Sequence, residues 1–278
     1  MRITGRVSLY GVVGYPVKHS LSPVFQNAAF SHLGIEAVYV PFEIKPGDLE
    51  DGVKGLMLSG VRGLNVTVPH KEAVLQIADR ISPEAEEIGA ANTLKFSDEG
   101  VEAYNTDWIG FLRALEEVHR PDGASVLVLG AGGASRAVLY ALRRVSAEVF
   151  LWNRTREKAD RLAERFGARV VDAPEEALGE VDVVVNTTSV GLREDDPPPV
   201  NASLLKKDQL VVDLIYKETA LLRTARERGC RVQNGFPMLV YQGAESFRIW
   251  TGCEPPVRVM KLSLLEFGYI PTDYSRTP

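Results

Sequence analysis

Lys71 is the first residue in the chain whose surroundings suggest proton chemistry. Just before it, in residues 63–69, Leu64, Val66 and Val68 alternate with Asn65 and Thr67. Such alternation puts the two polar side chains on one face of a strand. Pro69 ends that strand, and His70 and Lys71 are expected to open a helix. An ammonium at a helix N-terminus opposes the helix dipole. That misplacement, beside a polar strand face, points to a cleft at the carboxyl end of a sheet, where open α/β sheets bind ligands. Taken alone, Lys71 reads as a surface lysine with its stem against the protein. Ser20 and Ser22 lie in an earlier strand-to-helix loop, where two hydroxyls can hold a small anion without a full counter-charge. Ser22 followed by Pro23 also reads as an N-cap and first helical residue. Ser20, two residues upstream, has no such structural role.

A second chemistry is written in residues 125–158. Val126, Leu127, Val128 and Leu129 form an unbroken apolar run, as in a strand covered on both faces. Gly130, Ala131, Gly132, Gly133, Ala134 and Ser135 follow at once. Ala137, Val138, Ala141, Leu142 and Val145 then recur at helical spacing, and residues 149–152 form another apolar run. Glycines at a strand-to-helix turn let the backbone approach a diphosphate, and the helix N-terminus offers free N–H groups. Ser135 occupies the third position of the G-x-G-x-x-G pattern, a departure from it. The placement between a buried strand and a helix favours nucleotide binding over a plain turn. After the second strand come Asn153, Arg154, Thr155 and Lys158. NAD-binding units usually carry an acid there for the ribose 2′-hydroxyl. Two cations, a hydroxyl and no carboxylate suit a 2′-phosphate instead, so the cofactor expected is NADP. The alternative, a solvated basic helix start, leaves the cost of cations at a helix N-terminus unexplained.

Composition bounds the rest. A chain of 278 residues is long for one core, so two domains are expected. The charged fraction of 25% and apolar fraction of 45% are those of a soluble globular protein. Net charge is −5 without a basic block, which makes nucleic acid an improbable partner. No run approaches a membrane span, and the first residues lack the apolar core of a signal peptide. Cys230 and Cys253 stand far apart with no histidine or cysteine at ligand spacing; they read as free cytoplasmic thiols, and no metal site is implied.

The elements that must position these residues follow in order. A strand over 8–15 leads to a helix from Ser22 that Gly34 stops. A strand over 38–44, a helix over 46–59 and the strand at 63–69 come next. Residues 82–89 form a short acidic helix, and 93–96 and 101–104 form a hairpin about residues 98–100. Asp107 opens a helix with Trp108, Phe111, Leu112 and Leu115 on its apolar stripe, as a cap or first-turn acid. Residues 121–123 are turn-rich and mark the domain boundary. Later strands are expected over 168–171, 181–185, 210–215 and 231–233. The strand at 181–185 ends in Asn186, Thr187, Thr188 and Ser189, a place beside the ribose and nicotinamide of a bound dinucleotide. A helix covers 218–229, a turn 234–238, and closing helices 239–251 and 257–266. The fold class expected is α/β in two domains. Residues 1–120 form a substrate domain with a mainly parallel sheet, rejoined by the C-terminal helices of residues 239–278. Residues 121–238 form a Rossmann-like NADP-binding domain.

The motifs YPVKHSLSP, GLNVTVPHK, GAANT, NTD, GAGGAS, NRT and GFPMLVYQGAESF occur in one order across residues 13–267. As a set they resemble bacterial-type shikimate dehydrogenases. The resemblance implies that Ser20 and Ser22, with Tyr216, hold a substrate carboxylate. It implies that Asn65, Thr67, Asn92 and Gln242 bind ring hydroxyls and that Lys71 and Asp107 are the catalytic pair. Thr187, Thr188, Ile215 and Gly235 would fall along NADP, with Met238 at the nicotinamide. Asn92, Asp107 and Gln242 rest on the resemblance and not on residue pattern. The reaction implied is the reversible NADPH-dependent reduction of 3-dehydroshikimate to shikimate, in a cytoplasmic monomer or homodimer, with domain closure over the ligands. Competing readings are a quinate/shikimate dehydrogenase, a non-catalytic sensor on the same fold and a folate-linked dehydrogenase. Retention of Lys71 and Asp107 speaks against the sensor, and the SLSP and NTD loops speak against the folate-linked enzyme.

Overall fold

The alternating and continuous apolar runs become two six-stranded sheets in a computed structural model that describes residues 4–266. The first part of the chain forms β1 (Ser8–Gly14), α1 (Ser22–His32), β2 (Ala37–Glu43), α2 (Leu49–Leu58), β3 (Val61–Val66), β4 (Arg80–Ile81), α3 (Pro83–Ile88), β5 (Thr93–Ser97) and β6 (Gly100–Tyr104). The middle forms α4 (Asp107–Glu116), β7 (Ser125–Leu129), α5 (Gly133–Arg144), β8 (Glu148–Trp152), α6 (Arg156–Phe166), β9 (Arg169–Val170), β10 (Val183–Asn186), β11 (Leu210–Asp213), α7 (Ala220–Glu227) and β12 (Arg231–Gln233). The chain closes with α8 (Phe236–Thr251) and α9 (Val257–Glu266). The end of the expected 239–278 segment, residues 267–278, lies outside the described residues.

Contacts divide the chain into two units, residues 4–106 with 239–266, and Asp107–Met238. The division falls upstream of the turn at 121–123 because α4 packs on α5, with Trp108 edge-on to Tyr140 at 5.4 Å.

In the first unit the sheet order is β2-β1-β3-β5-β6-β4. β1 runs parallel to β2 and β3, whereas the β5–β6 hairpin is antiparallel and makes the sheet mixed. The helix expected from residue 46 begins as a 3-10 turn over Pro46–Asp48 before α2. The helix expected at His70–Lys71 does not form: Lys71 sits in a turn, and only a 3-10 turn over Ala73–Gln76 follows. The reason is β4, which must pair with β6; the Asp79 N–H is already bonded to the Val101 carbonyl at 2.9 Å, leaving room for a single tight turn. The dipole argument for Lys71 therefore falls. α8 lies against this sheet, its Trp250 Nε1 donating to the Leu94 carbonyl at 2.8 Å over Gly63, where any side chain would run into the indole. α8 also begins earlier than expected, at Phe236, because Asn234 Oδ1 accepts the Phe236 N–H at 3.1 Å and replaces the expected turn.

In the second unit all pairings are parallel, in the order β12-β11-β10-β7-β8-β9. The winding reverses between β7 and β10, the place where doubly wound sheets open a crevice. Leu127, Leu129, Val184 and Val211 are wholly buried there. Each buried aliphatic side chain of this kind stabilises the fold by roughly 1.5–3 kcal/mol, which holds rigid the strand ends that carry the polar residues.

Candidate functional site

Three of the four residues expected to meet ring hydroxyls form one buried network in the first unit. Asn65, near the end of β3, takes the Tyr39 phenol proton on Oδ1 at 2.7 Å. Its Nδ2 lies 2.9 Å from Ser246 Oγ, 3.1 Å from the Asn92 carbonyl and 3.2 Å from Thr93 Oγ1. Asn92 Nδ2 donates to Thr106 Oγ1 at 2.9 Å and to Gln242 Oε1 at 3.1 Å, and Asn92 Oδ1 accepts the Thr106 N–H at 2.6 Å. Gln242 and Ser246 share one face of α8 by their i, i+4 spacing, and Ser246 donates to the Gln242 carbonyl at 3.0 Å. Thr67 stays outside the network. It lies just past β3, half-buried, with its N–H on the Val13 carbonyl at 2.9 Å.

Ser22 is not the helix cap that its place before Pro23 suggests. The N-cap of α1 is Leu21 and no side chain caps the helix. The Ser20 hydroxyl instead accepts the Ser22 N–H at 3.3 Å, while Ser22 is buried and bonded to the Tyr39 phenol. Ser22 is itself the first residue of α1, and Tyr39 offers its hydroxyl a partner. Burial pushes the Tyr39 pKa well above the usual phenol range, so the phenol keeps its proton and links Ser22 to Asn65.

Lys71 is half-buried in its turn. The backbone around it is pinned: the Lys71 carbonyl accepts the Ala91 N–H at 2.8 Å, and the buried His70 ring nitrogen Nε2 lies 2.7 Å from the Ile44 carbonyl. Asp107, buried, begins α4 in the second unit. Its charge reaches Tyr216, which is 43% exposed over the residue; desolvation at the hydroxyl, followed by the Asp107 carboxylate, raises the Tyr216 pKa to about 12. The structure thus brings Asp107 near Tyr216, whose ring is tilted 6.0 Å from Phe236.

The glycine turn after β7 is closed by a relay of hydroxyls. Gly132 N–H donates to Ser135 Oγ at 3.0 Å, Ser135 Oγ meets Thr187 Oγ1 at 2.6 Å, and Thr187 donates to the Leu129 carbonyl at 2.7 Å. Ser135 therefore does more than stand in for the third glycine: it ties the turn to the end of β10. Gly130 has φ +113, and a Cβ there would come within 2.7 Å of Thr187 Oγ1. In front of Gly132 and Gly133 there is open space, so a diphosphate can approach the first N–H groups of α5, Gly133 and Ala134 among them. Ala131 N–H is held by Asn153 Oδ1 at 3.1 Å, which joins the turn to the end of β8. Arg154, Thr155 and Lys158 are exposed. Among the described residues neither Arg154 nor Lys158 makes an ion pair, whereas Arg156 is held by Asp160 and Asp172. One correction applies: Glu157 lies in the first turn of α6, so the region is not free of carboxylates. Thr188, Ile215 and Gly235 lie at the ends of β10, β11 and β12, and Gly235 donates to the Ile215 carbonyl at 3.1 Å. Met238 is half-buried in the first turn of α8. The residues present fit NADP, with the open turn for the diphosphate and two unengaged cations for the 2′-phosphate.

Sequence reasoning missed Tyr39, Thr93, Thr106 and Ser246. Ser246 had a signal, a polar residue one turn past Gln242 in a largely apolar helix. Tyr39 and the two threonines had none, because their partners lie on other elements. Among the described residues no helix is long and apolar enough to cross a membrane, and no group of three or more His, Cys, Asp or Glu is placed to hold a metal ion.

Family models match along the chain: the shikimate dehydrogenase substrate binding domain over residues 12–94, the shikimate/quinate 5-dehydrogenase family over 113–214 and the shikimate 5′-dehydrogenase C-terminal domain over 235–265. The shikimate dehydrogenase (NADP(+)) of Aquifex aeolicus is 53% identical over 263 residues, covering 94% of this chain and 98% of that protein. The crystal structure of shikimate dehydrogenase from Aquifex aeolicus superposes with a TM-score of 0.93, covering 95% of this chain and 99% of the other. Shikimate 5-dehydrogenase from Thermus thermophilus, solved in complex with NADP(H) and shikimate, is 41% identical with a TM-score of 0.87, over 93% of this chain and 99% of the other.

Proposed function

The chain belongs to the shikimate dehydrogenase family, and we propose that it catalyses the reversible NADPH-dependent reduction of 3-dehydroshikimate to shikimate, an oxidoreductase step in the synthesis of chorismate and the aromatic amino acids. The observation that carries this reading to the site is the amide and hydroxyl network of Asn65, Asn92, Gln242 and Ser246. A ring with several hydroxyls needs such preorganised donors and acceptors, because unpaired buried polar groups are costly. Ser20, Ser22 and Tyr216 receive the carboxylate through hydroxyls, with Thr67 at the edge of the ring site.

When bound, NADPH supplies the hydride to the ring carbonyl. The chain's own task is placement and proton transfer. Lys71 Nζ holds or gives the proton at the reacting oxygen, and Asp107 is the other member of the catalytic pair. The pinned backbone on either side of Lys71 fixes the point from which its side chain reaches, which is where positioning contributes to rate. On the cofactor side, the glycine turn takes the diphosphate and Arg154 with Lys158 takes the 2′-phosphate. We place the protein in the cytoplasm, working as a monomer or homodimer on a small-molecule substrate.

The test is the initial rate of NADPH formation from shikimate and NADP, run beside NAD and beside quinate. Fast turnover only with shikimate and NADP is expected. Comparable rates with quinate and NAD would move the chain to the broader quinate/shikimate branch. Tight shikimate binding without turnover would make it a sensor.

A further inference from the structure

Asp213 is the last residue of β11 and is wholly buried. Three donors converge on its carboxylate. Oδ1 accepts from Asn186 Nδ2 at 3.0 Å and from the Ile215 N–H at 3.1 Å, and Oδ2 accepts from Thr219 Oγ1 at 2.7 Å. Among the described residues no lysine or arginine pairs with it. A buried carboxylate without a cation costs the fold stability, and burial accordingly pushes its pKa up. An acceptor-only group is what three converging donors require, and two of the three, Asn186 and Ile215, lead to the cofactor side.

Asn186 ends β10 directly opposite Asp213 in the parallel register. Its Oδ1 accepts from both the N–H and the hydroxyl of Thr188, at 3.0 and 2.7 Å. Ile215 in turn accepts the Gly235 N–H at 3.1 Å. Thr219 caps α7, taking the Leu222 N–H at 3.3 Å. One side chain therefore ties together the stretches that carry Thr188, Ile215 and Gly235.

We propose that Asp213 is a positioning residue for the nicotinamide-side half of the cofactor: through Asn186 and Ile215 it fixes the strand-end loops of β10 and β11 against one another. The proposal rests on the NADP reading above. It separates two halves of the cofactor site, since the glycine turn and Arg154 are not bonded to Asp213.

The experiment measures dissociation constants for NADP, for adenosine 2′,5′-bisphosphate and for shikimate, in the full-length wild type and in Asp213→Ala, Asp213→Asn and Asn186→Ala. The bisphosphate reports the adenosine half alone. Asp213→Ala is expected to weaken NADP by about tenfold or more, the scale of one lost charge-assisted hydrogen bond, while the bisphosphate and shikimate constants stay put. Asp213→Asn keeps Oδ1 for Asn186 and Ile215 and should hold NADP within about threefold of wild type. Should Asp213→Ala fail to fold, Asn186→Ala carries the test, because it cuts the tie from Asp213 to Thr188, together with the bond to the Val190 carbonyl, and leaves the bond to Ile215 in place. Unchanged NADP binding in Asp213→Ala, or in Asn186→Ala where that variant carries the test, or equal loss of NADP and bisphosphate, overturns the proposal. Wild type that binds no NADP would instead overturn the functional reading.

Discussion

Asn92, the residue before β5, donates a hydrogen bond to Gln242 of α8 at 3.1 Å, across 150 residues of chain. The bond fixes which atom each amide has left for a ligand. Asn92 Nδ2 donates to Thr106 and to Gln242, whereas among the described residues Gln242 spends one Nε2 proton on the Leu239 carbonyl and keeps the other. Gln242 is thus the member of the pair with a donor to spare.

Gln242→Ala removes that donor and leaves the Asn92 amide short of an acceptor. The KM for shikimate should rise by about tenfold to a hundredfold, on the scale of a lost hydrogen bond and an unsatisfied group. The KM for NADP should hardly move. Steady-state kinetics with each substrate varied in turn checks this; a KM for shikimate equal to that of wild type would remove Gln242 from the site.

Lys71→Ala should lower kcat by about a hundredfold to ten-thousandfold, the usual contribution of a positioned proton-transfer group. KM for shikimate should change far less. Near-normal turnover in this variant would end the catalytic assignment.

Replacing both Arg154 and Lys158 by alanine deletes two exposed cations after β8. The KM for NADP is expected to rise by roughly tenfold or more, as charge-assisted bonds to the 2′-phosphate disappear. The KM for NAD, which lacks that phosphate, should stay where it was. Parallel increases for both cofactors would contradict the 2′-phosphate role.

Asp213 predicts a pH dependence of stability. Burial raises its pKa above the ordinary 3.8. On raising the pH, the unfolded chain releases this proton before the folded one does. Between the two pKa values the folded state binds more protons, so stability falls as pH rises through that window. Asp213→Asn does not ionise and escapes the loss. The Tm of Asp213→Asn minus that of wild type should therefore grow from about pH 3.8 upward and then level off above the folded-state pKa. Thermal unfolding across that range checks it, and a difference that does not change with pH would contradict the assigned shift.

Local order was legible wherever the cause was local. The apolar run of residues 126–129, the glycine turn after it and the Arg154–Lys158 cluster were readable, because strand burial, turn geometry and helix-start chemistry act over a few residues. The short helix over 82–89 was readable for the same reason, and it forms as α3 with Ser82 as its cap. Reading failed where a distant partner competed. Residues 70–76 look like a helix start, but the Val101 carbonyl claims Asp79 and the chain must turn into β4. Ser22 looks like a cap, but Tyr39, brought in by β2, takes its hydroxyl.

The sequence by itself determined the two-sheet α/β plan, the dinucleotide turn and, through the order of its motifs, the family. Only the tertiary structure decided that Asn65, Asn92, Thr93, Thr106, Gln242 and Ser246 are one network and that Asp213 ties the ends of β10 and β11. The physical reason is that a buried polar side chain must find its partners wherever the fold brings them, and those partners lie on strands and helices far apart in the chain.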